Sequence, residues 1–170
     1  MRIGMKTLLF GAHQFLIHPY YVRKGWVKMY GNPPRRMWIA FLIHDWGYWP
    51  MKEIDGDKDY HSYWAALAVA QYNAPLAREM LLHSRFTAKD LGKEPSRLCW
   101  ADKMGTALMP SFLWAVLARL SGEGFIYMSN MKYETNQKFT YDRSISGLIK
   151  FHYNYRAWAR QEVWPRRTKR

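Results

Sequence analysis

The residues of this chain best able to do chemistry are four histidines and two aspartates: His18, His44, Asp45, His61, His83 and Asp102. Intervals of 26, 1, 16, 22 and 19 residues separate them in chain order. Apart from the adjacent pair, each interval is about one helix plus a turn, so a bundle of short helices can aim all six side chains at one point. Imidazole and carboxylate are the ligands of divalent first-row metals, and four His with two Asp can hold two such ions. No single member of the set is specific; the order and spacing of six ligand types is. His13 competes with His18 for the first position.

The order H…HD…H…H…D is carried by Ile43-His44-Asp45, Tyr60-His61, Leu82-His83 and Ala101-Asp102-Lys103. It resembles the HD-domain superfamily of metal-dependent phosphohydrolases, in particular the small bacterial and phage-type members with two metals. The match runs from about residue 12 to about residue 110. Ile17-His18-Pro19 looks like the first-ligand segment of that family, which favours His18 over His13. The resemblance implies an all-α HD-domain helical bundle and one or two divalent transition-metal ions, with Fe, Mn, Co, Ni and Zn all admissible. It implies that His18, His44 and Asp102 hold one ion, that His61 and His83 hold the other, and that Asp45 is common to both. The activity it implies is phosphohydrolase or phosphodiesterase, a metal-activated hydroxide attacking the phosphate of a nucleotide.

Arg85 and Lys103 each lie within two residues of a ligand and are the candidates to bind that phosphate, Arg as a bidentate fork and Lys as a point charge. The plainer reading of both is surface charge. One departure from the family matters. Many members carry a Lys or Asp a few positions beyond the HD pair, whereas Trp46-Gly47-Tyr48-Trp49 stands here and Lys52 is the first basic residue. Those aromatics can stack on a base, which favours a nucleotide substrate. Two other classes stay open. Some HD-domain proteins with the same six ligands are diiron oxygenases, marked by iron-specific consumption of dioxygen. The third class is a basic nucleic-acid-binding protein whose metal site is structural.

The elements that must position these residues follow from helical spacing and helix punctuation. From about residue 5 to 30, apolar residues such as Phe15, Val22, Trp26 and Tyr30 recur at helical spacing, with Pro19 dividing two helices or opening the second just after His18. Arg35 to Trp46 reads as a buried helix, apolar nearly all round, with His44 and Asp45 on its last turn. Trp49 to Asp59 reads as an acidic loop at the rim of the site, Glu53 or Asp55 serving as an outer group or proton carrier. Asp55 to Asp59 is excluded as a calcium loop because Ala66 stands where a bidentate Glu is required. His61 to Gln71 and Leu76 to His83 read as helices, the latter opened by Pro75, followed by Ser84 as a cap and a charged loop from Lys89 to Glu94. Asp102 sits mid-helix between Arg97 and Leu108, on a face similar to that of Cys99, whose role is packing. A further helix follows Pro110 and ends at Gly122-Glu123-Gly124. Tyr127 to Tyr141 reads as a loop and Ser144 to Val163 as a helix, so residues 1–124 are the bundle and residues 125–170 a C-terminal helical extension with a basic tail.

Bulk properties bound the rest. A chain of 170 residues with 17% aromatics can bury a substantial core, which excludes disorder. A net charge of +13 favours anionic partners: nucleotides, nucleic acid or an acidic membrane surface. Its single cysteine excludes an internal disulfide and fits a reducing compartment. The apolar start is broken by His13 and Gln14, and neither long uncharged run reads as a membrane span, so the expectation is a cytoplasmic protein. Self-association remains open. In the C-terminal segment, Tyr155 and Trp158 are interleaved with Arg156 and Arg160. That mixture is able to bind single-stranded nucleic acid, but Leu148, Phe151, Tyr155 and Trp158 keep an apolar stripe that favours packing on the bundle.

Overall fold

The computed structural model describes residues 1–52, 54, 60–135, 142 and 144–168, with only the backbone for 130–135. The fold is all-α, and no strand occurs among the described residues. Among the described residues ten α-helices follow in order: α1 (Ile3–Phe10), α2 (Ile17–Tyr30), α3 (Met37–Ile43), α4 (His61–Ala70), α5 (Ala74–Leu81), α6 (Arg85–Asp90), α7 (Arg97–Leu108), α8 (Ser111–Ser121), α9 (Glu123–Thr135) and α10 (Ile145–Trp158). Short side-chain caps start several of them. Asn73 accepts from the Leu76 N–H, Ser84 from Thr87, Ser96 from Cys99 and Ser144 from Gly147, each satisfying an otherwise orphaned donor. Pro19 and Pro75 fall within the first turn of α2 and α5, where a missing N–H costs nothing.

The central crossing is α2 on α7. A Cβ built at Gly25 would collide with the backbone of Ala101 and Gly105, and one at Gly105 would strike the backbone of Tyr21 and Val22. Two glycines facing each other therefore let the helix axes approach closely, and this contact sets His18 of α2 opposite Asp102 of α7. Gly105→Val is expected to cost about 1–3 kcal/mol of stability by forcing the helices apart. Chemical denaturation of the variant would measure that loss, and a wild-type stability for Gly105→Val would mean that the crossing tolerates the added side chain.

Around this crossing Val22 and Trp26 of α2 meet Phe41 of α3, Ala65 and Val69 of α4, Leu76 and Met80 of α5, and Leu98 and Ala101 of α7. A second cluster joins α8, α9 and α10 through Trp114, Ala118, Met128, Leu148 and Phe151. Beyond Trp158 the chain continues as a π-helical turn (Ala159–Val163) and a 3-10 helix (Trp164–Thr168). Ala159 and Val163 bury against Trp100, Met104 and Ala107 of α7, while the Tyr155 hydroxyl donates to the Lys103 carbonyl at 3.2 Å. Arg166 lies 4.1 Å above the Trp100 ring, so part of the basic tail is a packing cation rather than a free charge.

Four expectations need correction. Tyr127 is not in a loop: α9 runs from Glu123 to Thr135, because Ile126, Tyr127 and Met128 find apolar partners on α1 and α8. His18 is inside the first turn of α2 rather than ahead of it. Lys89 and Asp90 end the short helix α6, started by the Ser84 cap. Finally, α3 is not buried all round. Met37, Ala40 and Phe41 face the core, but Trp38, Ile39 and Leu42 are about half exposed, at 48%, 49% and 50%. On that side the Arg23 guanidinium of α2 lies 4.9 Å above the Trp38 ring. Glu53 and Asp55 lie outside the described residues. No single described helix is long and apolar enough to cross a membrane; only α7 and α8 together pass by composition, and they bend by 107°.

Candidate metal centre

The six residues predicted from their spacing converge. His18 comes from the first turn of α2, His44 caps the C-terminus of α3 with Asp45 next to it, His61 opens α4, His83 joins α5 to α6, and Asp102 lies midway along α7. The two oxygens of Asp45 face different partners. Its Oδ2 lies 3.1 Å from His18 Nε2 and 3.2 Å from His44 Nε2, while Asp102 Oδ1 stands 3.1 Å from the same His18 nitrogen. Its Oδ1 lies 3.4 Å from His83 Nε2 and 3.8 Å from His61 Nε2, and those two nitrogens are 2.8 Å apart.

The distances are within hydrogen-bond reach, yet the contacts do not form a satisfied hydrogen-bond network. His18 Nδ1 and Nε2, His44 Nε2, Asp45 Oδ2 and Asp102 Oδ1 are buried with no hydrogen-bond partner among the described residues, although they crowd together. Each buried polar atom left unpaired costs about 1–3 kcal/mol. Donors each about 2.1 Å from one ion stand roughly 3.0–3.4 Å apart, which is the spacing found here. The donor set therefore fits a divalent cation, and the trios His18–His44–Asp102 and His44–Asp45–His83 each place their donor atoms within 4.8 Å of one another.

The outer nitrogens support the same orientation. His44 Nδ1–H donates to the Ala40 carbonyl at 3.0 Å, and His83 Nδ1–H donates to the Met80 carbonyl. Both rings thereby turn Nε2 inward, the arrangement usual for ligating histidines. Charge at the centre is strongly coupled. Burial opposes the charged form of His18, but Asp102 and Asp45 outweigh it and push the pKa up to about 9. Burial likewise opposes charge on His44, and Asp45 raises it. The carboxyl of Asp45 resists burial and is held well below the usual range by His44, His13 and His18. The two carboxylates are thus balanced by protonated imidazoles, a role that a cation would take over as the rings give up their protons. On the other side, burial and the neighbouring His61 and His44 bring His83 down to about 4, leaving a neutral imidazole.

A cavity of about 160 Å³ opens onto this cluster, with Asp45, His61, His83 and Asp102 at its floor. Arg85 and Lys103 line it; the Lys103 ammonium lies 4.0 Å from Asp102 Oδ2, and the Arg85 guanidinium 5.8 Å from the Trp158 ring. The aromatic wall comes from Trp114, Tyr127, Phe151, Tyr155 and Trp158, far along the chain from the ligands. Of the aromatics after the HD pair, Tyr48 lines the cavity and stacks on His61 at 4.0 Å. Trp46 and Trp49 point away and are 57% and 50% exposed, so they form no stacking platform in this cavity. Cys99 is fully buried and burial pushes its thiol up, in keeping with a packing role.

Glu123, a neighbour of the centre, escaped the sequence reading, whereas His13, weighed there against His18, lines the cavity with its ring centroid 5.0 Å from that of His18. Glu123, taken for part of a helix stop, is fully buried against His13. No family model, curated protein or solved structure matches this chain, so the centre stands on its own geometry.

Proposed function

We propose that the protein is a metal-dependent phosphohydrolase or phosphodiesterase acting on a nucleotide or a comparably small phosphate ester. The observation that carries this reading is the set of buried, converging and unpaired donor atoms on His18, His44, Asp45 and Asp102. His18, His44, Asp45 and Asp102 would hold one ion, and His61, His83 and the other oxygen of Asp45 a second. Bound divalent cations supply a water acidic enough to deprotonate near neutrality and draw charge from phosphoryl oxygens. The chain's own residues do the rest. Arg85 and Lys103 set positive charge beside the cluster for the substrate phosphate. The aromatic wall excludes water and offers flat faces to a base or sugar. A cavity of about 160 Å³ is below the roughly 300 Å³ of an ordinary small-molecule site, which favours a phosphate with a planar group over a polymer.

The test is elemental analysis of purified protein, then phosphate release from a nucleotide panel with Mn, Co, Ni, Zn and Fe. Two ions per chain and hydrolysis of at least one nucleotide are expected. His61→Ala and His83→Ala should each lose one ion and keep the other. Arg85→Ala should keep both ions and lose roughly 10- to 100-fold in kcat/KM, the worth of one charge-assisted hydrogen bond. Dioxygen consumption confined to the iron-loaded protein, without phosphate release, would overturn hydrolysis in favour of a diiron oxygenase.

A further inference from the structure

His13 sits in the turn between α1 and α2, and Glu123 opens α9. The Glu123 carboxylate accepts from the Thr7 hydroxyl, the Ala12 backbone N–H, the Ser121 hydroxyl at 2.8 Å, His13 Nδ1 at 2.9 Å and, more weakly, the Tyr127 hydroxyl at 3.5 Å. Burying an ionised carboxylate costs several kcal/mol, and these donors offset that cost. The backbone is shaped around it. A Cβ at Gly11 would collide with Glu123 Oε1, with Thr7 Cα and with Ser121 Cβ. A carboxylate on Nδ1 orients the ring and leaves Nε2, which has the Tyr127 hydroxyl 3.3 Å away, as the donor atom.

A ring nitrogen of His13, one of His18 and a carboxylate oxygen of Asp45 lie within 4.8 Å of one another. His13 also follows the pattern of its neighbours. His44 and His83 each anchor Nδ1 on a backbone carbonyl, and His13 anchors it on a full negative charge. We propose that His13 is a fifth donor to the ion held by His18, His44, Asp45 and Asp102, and that Glu123 is the carboxylate orienting it. This rests on the metal-centre reading above. Its consequence is an asymmetric pair. The first ion is enclosed by protein, whereas the ion on His61, His83 and Asp45 keeps positions for water and substrate.

The experiment is a titration of the metal-free full chain with Co(II), followed by calorimetry and by the visible d–d bands of the bound ion. Wild type should bind two ions. His13→Ala and Glu123→Gln should each weaken one of the two by about 10- to 100-fold, and His13→Ala should intensify the d–d bands as coordination number falls. Thermal unfolding of the metal-free variants is followed in parallel, with His13→Gln used if the alanine destabilises the fold. Wild-type affinities and an unchanged spectrum in folded His13→Ala or His13→Gln would overturn the proposal while leaving the six-residue centre intact. Failure of wild type itself to bind Co(II) would sink the metal-centre reading, and this proposal with it.

Discussion

Asp45→Asn is expected to cut metal occupancy from the proposed two ions per chain to fewer than one and to abolish the proposed phosphohydrolase activity. The change is isosteric, so packing is preserved and the loss isolates charge. Asp45 is the one residue whose two oxygens face both halves of the cluster, Oδ2 toward His18 and His44 and Oδ1 toward His61 and His83. An amide offers neither half a full negative charge, and half of its polar surface becomes a donor pointed at imidazole nitrogens. Removing several kcal/mol of transition-state stabilisation corresponds to a loss on the order of 10³-fold in kcat or more. The comparison is Asp102→Asn, whose carboxylate touches only the first half and which should spare the ion on His61 and His83. Asp45→Asn protein that still carries two ions and turns over nucleotide at the wild-type rate would remove Asp45 from the centre.

The second large effect concerns stability in mild acid. His152 on α10 is fully buried, donates from Nε2 to the Thr106 carbonyl at 2.9 Å and accepts at Nδ1 from the Ser111 hydroxyl at 3.0 Å. Burial, helped by Arg156 on the same helix and opposed by the Thr106 carbonyl, lowers its pKa from 6.5 to about 4. The folded state therefore favours the neutral ring. That contribution is fully present above the unfolded value and is lost as pH falls toward the folded one. The whole window is worth on the order of 3 kcal/mol, and about 2 kcal/mol of it should disappear between pH 7 and pH 5. His13 and His18, both raised to about 9, act in the opposite sense, since their stabilisation is complete at low pH and fades toward alkaline pH. The informative quantity is thus the stability difference between wild type and His152→Gln, measured by urea unfolding at each pH. That difference should shift by about 2 kcal/mol between pH 7 and pH 5. A difference independent of pH would show that His152 titrates normally.

The sequence by itself determined the six candidate residues and most of the helices, because their order and the helix punctuation can be read along the chain. A cap such as Asn73 or Ser96 acts on an N–H three residues away, and an apolar stripe repeats within one helix. Arg97–Leu108 was legible to the residue for that reason, and Asp102 with it. Spacing allowed His18, His44, Asp45, His61, His83 and Asp102 to converge, since each interval can return the chain across one bundle, and the family resemblance favoured His18 over His13. Only the tertiary structure decided which faces are covered. Trp46 and Trp49 look like the wall of a site beside the HD pair, but Phe151, Tyr155 and Trp158, brought over by α10, form part of the wall instead. Glu123 illustrates the limit most sharply. Between two glycines at a helix boundary it looks like an ordinary solvated acid, and its partners Thr7, Ala12 and His13 lie at the other end of the chain. A buried carboxylate is stable only where distant donors are folded around it, and no local pattern encodes that arrangement.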